Sequence, residues 1–311
     1  MNQGPRPLYK RHWKHYCNGM CDKGPKEFMN KSVARVWVVV PWLAVSSGCF
    51  KHREAPPRPV VAKSMSEACD RKDAVERLNL AGQEIGELSA ELASMPKLKE
   101  LWLRGAKNLG SLAVLRGCKA LRTLDLSSVG LSAVPSDVFA LGALEDLYLA
   151  DNAIASLPPS VGDLAALRYL NLDGNQLATL PAEIGKLANL RWLRLNENKL
   201  SALPAETARL TKLQRVYLRS NVFESVPECL KGLPLLEDIS LSGNRVKEVP
   251  AWLTALPKLR NLDLDGCPVA KLPEDLSGWA RLQILSLVRC PLDEAEKARV
   301  RAALPKTHVA F

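Results

Sequence analysis

Leu167-Arg168-Tyr169-Leu170-Asn171-Leu172-Asp173-Gly174-Asn175-Gln176-Leu177 decides the fold. Leu170 and Leu172 alternate with Tyr169 and Asn171, the pattern of a short strand whose leucines enter a core while the intervening side chains face the other way. The same spacing recurs every 23 residues, in units that begin at Val75, Leu98, Leu121, Leu144, Leu167, Leu190, Leu213, Leu236, Leu259 and Leu282. Ten units in one register predict stacked strands forming a parallel sheet, because a single unit cannot bury its own apolar face. The second half of a unit, Leu180-Pro181-Ala182-Glu183-Ile184-Gly185-Lys186-Leu187, adds a proline that restricts the backbone and apolar residues that close the core from the outer side.

The pattern LxxLxLxxNxL resembles the leucine-rich repeat, over residues 75–292. The recurring Leu-Pro and Val-Pro pairs, from Val134-Pro135 to Leu272-Pro273, resemble the class found in bacterial proteins and in the Ras-interacting and plant intracellular groups. The resemblance implies an α/β solenoid: a leucine-rich-repeat arc with a parallel sheet on its concave face and short 3-10 or irregular segments on its convex face. A helix expected over 293–304 completes a C-terminal cap spanning 293–311. In the family, the asparagine at the turn bonds backbone groups of adjoining turns; here Asn152, Asn175, Asn198, Asn221 and Asn244 fill that place. Gln83, Ala106 and Val129 replace it in the first three units, and Cys267 and Cys290 in the last two, as terminal repeats of a solenoid are expected to be atypical. Both cysteines are read as core residues, and the spacing of about 4.8 Å between rungs also permits a disulfide between them.

The outward positions of the strands carry the binding expectation. Tyr148, Tyr169, Trp192, Arg194, Arg215, Tyr217 and Arg219 gather in the middle of the array and Trp102 stands nearer its start, residue types that dominate binding hot spots. Asp238, Asp263 and Asp265 follow, so the face is bipolar along its length. About 45 Å of such surface suits a protein or an extended peptide held by a monomer.

The first 70 residues read differently. Met29-Asn30-Lys31-Ser32-Val33-Ala34-Arg35, an apolar run over Val36–Val45 and then Ser46-Ser47-Gly48-Cys49 follow the order of a secretory signal. The ending is similar to the lipobox of bacterial lipoproteins, with Cys49 as the lipidated residue and Ser46 a departure from the usual aliphatic. Residues 1–28 are then a doubtful, disordered upstream segment, 29–49 the signal, 50–70 a spacer containing Pro56, Pro57 and Pro59, and 71–292 the repeat domain. The predicted location is the bacterial cell envelope, with the membrane reached through a lipid anchor. An intracellular signalling scaffold without lipid, in the cytoplasm, is the alternative.

Residues 1–54 hold ten Lys/Arg against three Asp/Glu, leaving only +3 of the +10 formal charge for the repeats, which removes the case for nucleic acid. No enzyme is expected: no histidine falls between Val75 and Lys306, and no phosphate loop or dinucleotide fingerprint occurs. Cys118 and Cys229 lack a segment long enough to build a catalytic domain around them. No cofactor is expected, and the Cys17–Cys21 spacing, without a second pair, does not make a metal site.

Overall fold

The computed structural model describes residues 59–311. Met29, Cys49 and the segments around them lie outside those residues. One sheet of twelve parallel strands runs in sequence order: β1 (Val61–Ala62), β2 (Arg77–Asn79), β3 (Glu100–Trp102), β4 (Thr123–Asp125), β5 (Asp146–Tyr148), β6 (Tyr169–Asn171), β7 (Trp192–Arg194), β8 (Arg215–Tyr217), β9 (Asp238–Ser240), β10 (Asn261–Asp263), β11 (Ile284–Ser286) and β12 (His308–Ala310). Each pairs with the next at a constant shift of 23 residues from β2 to β11, so Tyr169 lies opposite Trp192 and Trp192 opposite Arg215. The sequence period is therefore the strand register. This is the leucine-rich-repeat solenoid that the periodicity predicts.

Inward leucines of successive strands, Leu124, Leu147, Leu170 and Leu193, are fully buried in one continuous core. Opposite them, 3-10 turns such as Ala182–Lys186 and Ala205–Arg209 close the far side, each preceded by a proline in extended conformation. Proline cannot donate, so it stands where no backbone N–H is required, and the turn begins directly after it. Gly185 is needed there for a different reason: a Cβ would come within 2.4 Å of the Glu206 carbonyl oxygen of the next turn.

The asparagine ladder is continuous. Asn175 Nδ2 donates to the Leu149 and Leu172 carbonyls at 2.9 and 3.0 Å, and its Oδ1 accepts from Ile154 N–H at 3.1 Å. Asn198 Nδ2 donates to Leu172 and Leu195, so each carbonyl serves two rungs. Cys267 and Cys290 are free thiols that keep one part of this geometry, donating to Leu241 and Leu264 at 3.2 Å each. Gln83, by contrast, is exposed and donates to the Lys63 carbonyl.

The expected spacer over 50–70 needs correction. Val61–Ala62 is a strand, and Met65–Asp70 is a helix capped by Ser64, whose hydroxyl accepts from Glu67 N–H at 3.1 Å. Ala62 and Ala68 are buried beneath it, so this segment covers the open end of the first repeat. At the other end, helix Glu294–Ala303 is capped by Asp293 and fastened by Glu296, which accepts from Leu272 N–H at 2.8 Å and from Arg299 at 2.7 Å. Arg299 in turn donates to the Leu272, Pro273 and Glu274 carbonyls. The polar groups that another rung would have paired are met by the helix instead. None of the helices among the described residues is long and apolar enough to cross a membrane.

Candidate functional site

Strand alternation sets the side chains of β3 to β8 on the exposed face of the sheet, and their neighbours then decide how exposed each one is. Trp102 on β3 meets Tyr148 on β5 at 5.8 Å between ring centroids, across the smaller Asp125 of β4. Tyr148 meets Tyr169 at 4.8 Å, and Tyr169 meets Trp192 edge-on at 5.7 Å. The guanidinium of Arg215 lies 4.5 Å from the Trp192 ring centre, and that of Arg194 lies 5.5 Å from Tyr217. Seven of the eight sequence-predicted residues thus form two stacks crossing β3 to β8. Arg219, just beyond β8, is exposed and pairs with Glu197 at 2.6 Å.

Tyr169 departs from the solvent-facing expectation: it is 7 % exposed, because Tyr148 and Trp192 cover it from both sides. Thr123, Asp125, Ser127 and Asp238 are likewise buried, being short side chains between longer neighbours. Tyr169 is the middle of the stack, and the partly exposed Trp102, Tyr148 and Trp192 rings present its surface.

The arginines are held in place by acids that the sequence reading did not assign to the site. Arg194 Nε donates to Asp173 at 2.8 Å, and Asp173 also accepts from Asn196 N–H at 2.8 Å. Arg215 pairs with Asp238 at 2.9 Å. Glu100 accepts from both Arg77 and the Trp102 indole N–H, the latter at 3.1 Å. Burial pushes the Asp173 and Asp238 carboxyls upward, and the charge or hydrogen bonds of Arg194, Arg215 and Asn261 pull them back. A guanidinium fixed over a ring by a neighbouring carboxylate keeps its cation–π contact without rotamer freedom to lose on binding. The signal for these partners was present: Arg77 and Glu100, and Arg215 and Asp238, are opposite charges exactly one repeat apart.

At the far end, Asp263 accepts from Ser240 at 2.8 Å and from Asp265 N–H at 3.1 Å, while Asp265 accepts from Ser286 at 2.5 Å and Val288 N–H at 2.9 Å. Burial first, and the adjacent Asp265 second, push the Asp263 carboxyl up to about 6.

Nucleophilic chemistry finds no support in the thiols. Burial pushes Cys118 up to about 11 and Cys229 upward, so neither is activated at neutral pH. Among the described residues, no group of three or more His, Cys, Asp or Glu side chains is placed to hold a metal ion. A depression of about 240 Å³ between the loops after β7 and β8, bounded by Leu203, Phe223, Pro227 and Cys229, is smaller than the ~300–1,000 Å³ usual for small-molecule sites.

Comparison with known proteins places this geometry. A family model described as a leucine-rich repeat region matches residues 160–264, and a second, a leucine rich repeat, matches residues 119–177. The chain carries leucine-rich repeats. Among solved leucine-rich-repeat structures it is similar to an internalin from Listeria monocytogenes, at 22% identity and a TM-score of 0.67 over 80% of this chain and 70% of that one. The ectodomain of the plant membrane receptor kinase GASSHO1/SCHENGEN3 from Arabidopsis thaliana, in complex with CASPARIAN STRIP INTEGRITY FACTOR 2, is 26% identical with a TM-score of 0.64. That match covers 80% of this chain and 32% of the receptor's. Toll of Drosophila, in its complex with Spatzle, gives 25% identity and a TM-score of 0.63 over 70% of this chain and 30% of that one. This chain therefore spans about a third of the length of those two receptors. No curated protein matches the sequence. Leucine-rich-repeat proteins are in general non-catalytic binding scaffolds, and the fold here is of that kind.

Proposed function

We propose that this chain is a non-catalytic scaffold that holds a protein or extended peptide against the concave sheet, at the bacterial cell envelope, through a lipid on Cys49. The observation that carries the binding reading is the stack Trp102–Tyr148–Tyr169–Trp192–Arg215: an aromatic surface on the open face of the sheet, with its cations already held by Asp173 and Asp238. Such rigid, preorganised rings bury large area at little entropic cost, which is the property of hot-spot residues. Stacking that serves only stability would not require so much ring surface to stay accessible. The plant receptor and Toll are each solved in complex with a partner, which supports a protein ligand for this chain.

The anchoring part rests on Gly48-Cys49 after the apolar run. Several acyl chains on one residue hold a domain at a bilayer far more durably than a single marginal chain. Intact mass of the native chain from separated membrane and soluble fractions tests it: a membrane species beginning at Cys49 with added acyl mass is expected, and a soluble, uncleaved chain overturns it in favour of the intracellular scaffold. For the binding face, a photo-crosslinking amino acid at Tyr148 is expected to capture a partner in cells. Capture only from Trp252, on the opposite side of the repeat, overturns the concave assignment.

A further inference from the structure

Charge is divided unevenly between the two long flanks of the arc. All strands are parallel, so the segments that lead from a convex turn into the next strand line one flank, and the loops that leave the strands line the other. The nine entering segments from 95–99 to 279–283 hold ten Lys/Arg, all exposed, against Glu145 and Glu237. The nine leaving loops from 81–87 to 265–271 hold seven Lys/Arg against eight Asp/Glu. On the entering flank Glu145 is shared by Arg122 and Arg168, and Lys99 pairs with Glu76. Lys97, Lys119, Arg191, Lys212, Lys258 and Arg281 spread positive charge over eight rung intervals, roughly 40 Å at about 4.8 Å each. A backbone ladder keeps this flank in line: Glu145 N–H donates to the Arg122 carbonyl, Arg168 N–H to that of Glu145 and Arg191 N–H to that of Arg168, at 2.7, 2.7 and 2.9 Å. The same ladder reaches Val60, whose carbonyl accepts from Glu76 N–H at 2.9 Å. The chain leading back to Cys49 therefore joins the solenoid on its basic flank, eleven residues from that cysteine.

We infer that this flank rests on a bilayer containing anionic phospholipid, with the strands standing away from its surface and the concave sheet open to the side. This rests on the Cys49 anchoring reading, which supplies the bilayer, and adds the orientation of the domain upon it. A lipid at one end fixes distance alone: eleven residues at ~3.3–3.6 Å each reach up to about 40 Å and allow any tilt. A row of cations that begins beside the tether removes that freedom, because each Lys or Arg near an anionic surface strengthens attachment roughly fivefold. The attraction acts within a Debye length of about 8–10 Å, so a whole flank has to lie flat to use it. The opposite flank, with its acids and bases in balance, offers no comparable attraction. The stack from Trp102 to Trp192 lies on the sheet between the two flanks, so this orientation leaves it free for a partner.

The test is co-sedimentation of the full, unlipidated chain with vesicles of phosphatidylglycerol in phosphatidylethanolamine. Arg191→Gln, Lys212→Gln, Lys258→Gln and Arg281→Gln together are expected to weaken binding about tenfold or more. Lys107→Gln, Lys199→Gln, Arg245→Gln and Lys247→Gln remove the same charge from the opposite flank and are expected to change it less than about twofold. The charge of residues 1–54 is the same in every variant, and thermal unfolding checks that each folds. A second readout leaves every cation in place: a fluorescent amino acid at Ala188, on the basic flank, is expected to be quenched by a nitroxide-headgroup lipid, and one at Ala178, on the other flank, to be spared. Equal losses from the two sets of substitutions, no loss from either, or equal quenching at both sites overturns the inference. Tighter binding of the flank to soluble polyphosphate than to the vesicles, at one ionic strength, also overturns it. Because the chain tested carries no acyl group, these outcomes are separate from the mass measurement: acylated Cys49 with indifferent flank variants overturns the orientation and leaves the anchor standing.

Discussion

Replacing Asn175 by alanine tests the ladder that holds the repeats in register. The side chain makes three bonds to buried backbone, but their loss is not equivalent. Leu149 carbonyl keeps Asn152 as a donor and Leu172 carbonyl keeps Asn198, so each loses only its second hydrogen bond, about 0.5–1.5 kcal/mol. Ile154 N–H has no other partner and is left buried and unmet, about 1–3 kcal/mol. Together these give about 2–6 kcal/mol. Asn175→Cys copies the arrangement at Cys267, whose thiol still donates to a carbonyl at 3.2 Å, and is expected to recover about 1 kcal/mol of the loss. Urea unfolding followed by both far-ultraviolet dichroism and tryptophan fluorescence is the assay. Two probes are needed because repeat arrays are stabilised by nearest-neighbour contacts and can unfold in parts. A change below about 0.5 kcal/mol for Asn175→Ala, or a cysteine variant no better than alanine, refutes the ladder account.

Other outcomes follow from single features. Glu197 holds a positive φ of 56° at the position where Gly174 and Gly243 occur in other repeats, so Glu197→Gly is expected to raise stability by up to about 1 kcal/mol in the same assay, and a clear loss contradicts it. The Asp263 carboxyl stands at about 6 when folded against an ordinary 3.8, so the folded chain binds that proton more tightly and gains stability as pH falls through 6. Asp263→Asn is therefore expected to melt higher than the parent at pH 7.5 and to lose that advantage by about pH 4.5, as thermal scans across this range will read. Glu296→Ala removes the acceptor of buried Leu272 N–H and the partner of Arg299, for an expected loss of about 2 kcal/mol that begins by freeing the C-terminal helix, visible as hydrogen exchange at 294–303. Its carboxyl is lowered chiefly by the Arg299 hydrogen bond, so this contribution holds at neutral pH and fades as the solution is acidified below the ordinary carboxylate range.

Much of the fold was legible because a repeat multiplies a weak local signal. One LxxLxLxxNxL unit predicts a strand poorly, whereas ten in register fix the strand spacing, the parallel pairing and the buried face together. Composition misled at the ends, where there is no periodicity to average over. Pro56, Pro57 and Pro59 extended the spacer reading to residue 70, although Ser64 and Glu67 carry the Ser-x-x-Glu helix-start signal that the structure uses. On the sheet, strand alternation identified which residues point outward, and Trp102, Tyr148, Trp192, Arg194, Arg215 and Tyr217 do share one face. How deeply each is covered depends on the size of its neighbours on the adjoining rungs, and for that reason Tyr169 and Asp238 were not recognisable as buried. The fixing role of Asp173 was hidden because its partner Arg194 lies 21 residues on rather than one full repeat.

The most direct measurement of the central claim is the affinity of a crosslink-identified partner for the parent chain and for the Trp192→Ala, Tyr217→Ala pair, by titration calorimetry. Two hot-spot rings at about 2 kcal/mol each predict a loss of at least thirtyfold, allowing for non-additivity, with the unfolding transition retained. An unchanged affinity in a folded double variant contradicts the concave-face account.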